Sequence, residues 1–128
     1  MLEINTIEND GFNRFIWNDH FITAFITRSE AYSDGVIKLM KRHNDTDEVF
    51  VLLKGNATLY TREELGADCE VTRLLPLTAY TVKASTWHHL AVSEDGALFV
   101  TESGALDPKN TDTADVSGEN IIAEIKLP

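Results

Sequence analysis

Residues 35–55 run Gly35-Val36-Ile37-Lys38-Leu39-Met40-Lys41-Arg42-His43, then Asn44-Asp45-Thr46-Asp47, then Glu48-Val49-Phe50-Val51-Leu52-Leu53-Lys54-Gly55. The four middle residues are polar turn formers, so the stretch divides into two strands around a bend. Side chains alternate along a strand, which puts Ile37, Leu39, Lys41 and His43 on one face and Val36, Lys38, Met40 and Arg42 on the other. A lysine and a histidine therefore follow two aliphatics at the end of an apolar face. Glu48 heads an almost wholly apolar run, a place near the mouth of a core.

Outward from this pair, period-two or continuously apolar runs rich in β-branched and aromatic residues recur at 12–17, 21–28, 57–62, 70–75, 79–83, 88–93 and 97–102. Turn chemistry separates them at Ser33-Asp34-Gly35, Lys54-Gly55-Asn56 and Glu94-Asp95-Gly96, with Gly55 suited to a left-handed turn. Strands at this spacing, with no helical period before residue 103, predict an all-β sandwich or barrel, one domain over residues 1–128. The run 21–28, apolar on both faces, reads as an edge strand open to pairing. Residues 103–118 are polar and read as a long surface loop. Ile121, Ile122 and Ile125 fit one face of a short helix, whereas Ala123, Ile125 and Leu127 fit a strand. A strand or an extended cover for a sheet edge is preferred.

Of the 128 residues, 43% are apolar and 25% charged, the composition of a chain that buries a real core. A formal charge of −10 repels phosphate backbones and anionic headgroups, which argues against nucleic-acid and membrane partners. Cys69 is the only cysteine, so no intrachain disulfide forms. It reads as a partly buried filler whose thiol Asp68 and Glu70 hold protonated. The opening Met1-Leu2-Glu3-Ile4-Asn5 has no basic, apolar leader, and no apolar run approaches the roughly 20 residues of a bilayer span. A cytoplasmic location is expected.

The stretch Trp87-His88-His89-Leu90-Ala91-Val92 supplies a third element. Adjacent histidines on a strand face opposite ways. His88 shares its face with Leu90 and Val92 and is expected inside; His89 is expected outside and solvated. Trp17 and Trp87 read as packing residues and His20 as a turn residue. Two imidazoles and a carboxylate from separate strands, His43, Glu48 and His88, resemble a metal site of the two-histidine, one-glutamate kind. Such donors suit zinc, iron, manganese or nickel, and spacing does not choose among them.

These residues resemble the cupins, small double-stranded β-helix (jelly-roll) barrels. Their first motif is G(X)5HXH(X)3,4E(X)6G, and Gly35, Lys41, His43, Glu48 and Gly55 stand at its five marked places, with Lys41 where the first histidine belongs. The second, G(X)5PXG(X)2H(X)3N, is worn down: Lys83 takes the proline place, Ser85 the second glycine and Val92 the asparagine, while His88 keeps the histidine. The resemblance covers about residues 30–103, the expected core barrel, with flanking strands at both ends. It implies His43, Glu48 and His88 as ligands of a divalent metal and a small polar ligand, a sugar or a carboxylic acid, in the barrel mouth. Lys41 is the candidate catalytic residue, binding a substrate anion or moving protons. A homodimer is implied as well. The alternative is a non-catalytic ligand-binding or structural cupin without metal, in which the Lys41 ammonium offsets Glu48.

Overall fold

The computed structural model describes residues 1–105 and 109–125. Its strands in chain order are β1 (Phe12–Trp17), β2 (Phe21–Thr27), β3 (Gly35–Val36), β4 (Leu39–His43), β5 (Glu48–Lys54) and β6 (Ala57–Arg62). Then follow β7 (Glu70–Arg73), β8 (Ala79–Val82), β9 (Trp87–Val92), β10 (Ala97–Ser103), β11 (Thr111–Asp115) and β12 (Ile122–Ala123). Two single 3-10 turns, Glu30–Tyr32 and Ser117–Glu119, are the helical segments among the described residues. The all-β expectation holds.

Two five-stranded sheets form, one in the order β1-β2-β10-β5-β8 and the other β11-β4-β9-β6-β7, with β12 and β3 as a separate two-stranded ribbon. Neighbours within the sheets pair antiparallel. Between the sheets lies the main core: Ala24, Ile26, Phe50, Leu52, Val82, Leu98 and Val100 face Ala57, Leu59, Leu90 and Val92. Each is the inward member of its strand's alternation, and each large aliphatic so buried contributes about 1.5–3 kcal/mol. Gly55 closes the β5–β6 turn with φ +72°, and a Cβ there would lie 2.6 Å from the Gly96 Cα. Only glycine fits.

A second cluster packs on the opposite face of the second sheet. Met40, Tyr60, Trp87 and Ala91 meet Val116 and Ala123 from the C-terminal segment. That segment is extended, as preferred from its sequence, but it lies over a sheet face rather than capping an edge; Leu127 falls outside the described residues. Side-chain anchors fix it: Tyr60 Oη accepts from the Glu124 amide at 2.7 Å and donates to the Glu124 carbonyl at 3.1 Å. Buried Arg62 clasps Glu119 with two bonds of 2.7 and 2.8 Å.

Three expectations change. The strand over 36–43 is interrupted at 37–38, where Ile37 donates to the Ile121 carbonyl and Lys38 accepts from Val116. The alternation read through this break fails: Ile37 joins Met40 in the outer cluster, and Leu39 is 49% exposed. The segment at 21–28 is an interior strand between β1 and β10, so the sheet edge is β1. Part of the polar stretch 103–118 is strand β11, paired along β4. An edge strand needs partners on one side only, which is why threonines and aspartates serve there.

Candidate functional site

His43 ends β4, Glu48 begins β5 and His88 is second in β9, so all three stand at the same end of the barrel. His88 Nε2 is 3.1 Å and His43 Nε2 3.4 Å from Glu48 Oε1, and the ring centroids lie 5.6 Å apart. One donor atom from each of the three lies within 4.8 Å of the others. The inward placement of His88 is confirmed. Its Nδ1 contacts the Thr86 carbonyl at 3.0 Å, and His43 Nδ1 contacts Thr111 Oγ1 at 3.1 Å, so both rings are oriented from behind.

The donor set fits a divalent cation. A carbonyl can only accept, so Nδ1 of His88 carries the hydrogen, and in the neutral ring the Nε2 lone pair points at a carboxylate oxygen. Two acceptors 3.1 Å apart need either a second ring proton or a cation between them. Ligand atoms about 2.0–2.2 Å from a metal stand roughly 3–3.5 Å from each other, the spacing found here.

The site holds a residue that the motif reading missed. Glu102, on β10, is the direct cross-strand partner of Glu48, and its Oε2 lies 3.6 Å from His43 Nε2. Leu98, Val100 and Glu102 share the inward face of their strand, so alternation alone could have found it. Burial first, then the adjacent Glu48, pushes the Glu102 carboxyl up to about 9. Burial also pushes Glu48 upward, but hydrogen bonds from His43, His88 and Glu102 outweigh it and hold its carboxyl below the ordinary range. The Tyr32 phenol, brought over the cavity by the first 3-10 turn, is raised to about 12 by burial and the two glutamates.

These residues line a cavity of about 950 Å³ that also includes Lys41, Phe50 and Leu90. Lys41 is the cross-strand neighbour of His88, so both project to the cavity side, but its side chain reaches the exposed rim. Among the described residues it makes no ion pair with Glu48, whose basic contacts are the two histidines. His89 faces away from the barrel as expected but is not solvated. It packs 6.4 Å from the Tyr60 ring, and burial drives its imidazole down to about 4. Trp87 is buried under the Arg42 guanidinium, whereas Trp17 is 62% exposed, with Arg14 over its ring. Cys69 is half-buried, and burial raises its thiol.

The worn second motif keeps its backbone. Counted back from Lys83, its opening glycine falls on Leu77; Leu77 has φ +59° and Ser85, at the second glycine, φ +67°. Both hold the left-handed conformation that favours glycine. The Ser85 amide donates to the His43 carbonyl at 2.7 Å, which ties this turn to the end of β4.

No protein-family model and no curated protein matches the chain. Solved structures do. A cupin-2 domain protein from Shewanella frigidimarina superposes with a TM-score of 0.57 at 15% identity, covering 76% of this chain and 84% of that one. KdgF from Halomonas sp. gives 0.55 at 15% identity, with 77% and 81% covered. This chain has the cupin fold. The QdtA 3,4-ketoisomerase from Thermoanaerobacterium thermosaccharolyticum, solved in complex with TDP, gives 0.56 at 17% identity over 70% of this chain and 63% of its own. Among the described residues of the cupin barrel, no helix is long and apolar enough to cross a membrane.

Proposed function

We propose that this cupin-fold protein is a metal-dependent enzyme acting on a small anionic molecule, a sugar acid or another carboxylic acid, in the barrel mouth. His43, Glu48 and His88 hold the divalent metal. The observation that carries the reading is the meeting of two imidazole nitrogens with one buried carboxylate oxygen at 3.1 and 3.4 Å, each ring braced through its other nitrogen. Held by these three side chains, a divalent metal would supply Lewis-acid polarisation of a substrate oxygen. Lys41 stands on the rim, in no ion pair among the described residues, and receives the anionic group of the substrate. Tyr32 and Phe50 wall the cavity, and the apolar wall excludes water from the bound end of the ligand.

The protein acts as a homodimer joined through the outer face of the first sheet, where Phe15, Phe25 and Phe99 lie against one another half-buried. Metal analysis of protein purified without a histidine tag tests the site. After incubation with Fe(II), Mn(II), Ni(II) or Zn(II), near-stoichiometric metal is expected in the unaltered chain and its loss in His88→Ala. Substoichiometric metal under all four conditions overturns the reading and favours a binding or structural cupin without metal. Loaded protein then serves to screen sugar acids by thermal shift, and Lys41→Ala is expected to weaken the anionic hits selectively.

A further inference from the structure

Glu48 and Glu102 stand directly opposite each other on β5 and β10, and both side chains turn into the barrel. Their side-chain exposures are 8% and 9%, and both carboxylates approach the same His43 Nε2, Glu48 at 3.4 Å and Glu102 at 3.6 Å. Like charges paired across neighbouring strands repel, and repulsion grows when water is removed from between them. The other groups facing Glu102 leave this conflict in place. Lys41 and Arg14 act on it only through space, neither within ion-pair distance among the described residues, and His43 is shared with Glu48. Two carboxylates in such contact fit together around a shared proton or around a cation.

The first sheet thus brings a spare oxygen donor to a site that lacks a nitrogen donor on the second, since Lys41 occupies the place of a histidine. Glu102 Oε2, 3.6 Å from His43 Nε2, stands just beyond the roughly 3–3.5 Å spacing of ligand atoms around one metal, and it approaches from the strand next to Glu48. We propose that Glu102 is a fourth protein ligand of the metal, completing a set of two imidazoles and two carboxylates; this rests on the metal reading above. Two carboxylates balance the charge of a divalent ion. Their hard oxygen donors move its preference toward manganese and iron and away from copper, compared with a set richer in nitrogen.

Co(II), whose visible bands report its ligands, tests the assignment in the full-length untagged chain, with affinity read by competition against a chelator. Glu102→Gln and Glu102→Ala are compared with the unaltered protein, and circular dichroism checks that each folds. Both variants are expected to shift the Co(II) bands and to bind about 10- to 100-fold more weakly. Unchanged bands or unchanged affinity in a folded variant overturns the assignment and leaves Glu102 a proton-sharing partner of Glu48 only. Failure of the unaltered protein to bind Co(II) overturns the metal reading itself and this inference with it. Loss of binding in His88→Ala without any effect of the Glu102 changes removes the inference alone.

Discussion

The two sheets bury their inner faces against the same core but treat their outer faces differently. On the second sheet, Met40, Tyr60, Trp87 and Ala91 lie under the chain's own C-terminal segment, with Tyr60 and Arg62 as fasteners. On the first, a stacked Phe15–Phe25 pair with ring centroids 4.8 Å apart and the adjoining Phe99 carry no strap among the described residues, and Leu53 nearby is 50% exposed. Apolar area on a sheet face is stabilising once something covers it. One face has its cover within the chain; the other is where a second copy is proposed to dock. The difference teaches that an apolar outer face is buried or left open according to where the remaining chain goes.

Four substitutions sharpen or break this contrast. The largest effect is expected from Trp87→Ala: a 5% exposed indole is lost from beneath the strap, at a cost of about 3–5 kcal/mol in chemical denaturation. A loss below about 1 kcal/mol would mean that the strap does not seal this face. Tyr60→Phe removes both hydrogen bonds to Glu124 and is expected to cost about 1–2 kcal/mol, with faster amide exchange confined to the strap.

Glu119→Gln tests the other fastener through pH. Hydrogen bonds from Arg62 hold the Glu119 carboxyl below its ordinary 4.5. A carboxyl lowered on folding contributes stability above its unfolded value, and that contribution disappears as pH falls through the folded one. The parent is therefore expected to be more stable than the variant at neutral pH, with the two curves converging below pH 4.5. A difference that persists unchanged into acid would assign the effect to packing instead.

Val51→Lys, on the open face directly opposite Phe99, is expected to change folding stability least, by roughly 1 kcal/mol or less, yet to convert a dimer into a monomer by light scattering. A parent that is already monomeric at micromolar concentration would remove the dimer from the account.

Much of the barrel was legible because its strands obey one rule. Phe50 and Leu52, Leu90 and Val92, and Leu98 and Val100 alternate without interruption, and each pair points inward in the structure. The same alternation separated His88 from His89, whereas the grouping of His43, Glu48 and His88 was implied by the motif resemblance. It failed at Ile37, where backbone bonds to Ile121 and Val116 from far along the chain interrupt the strand; no local pattern announces them. Strand β11 escaped notice because an edge strand can be polar on both faces. Glu102 was within reach of alternation and was overlooked because neither motif extends that far.

The brace behind His43 has a further consequence. Its Nδ1 is held by Thr111, which lies 68 residues downstream on β11. During synthesis the ring therefore emerges from the ribosome long before the hydroxyl that orients it. Until then the nascent barrel carries an imidazole that the Thr111 hydroxyl does not yet hold. The brace behind His43 forms only once β11 has paired along β4, so orientation of the ring is a late step in assembling the second sheet.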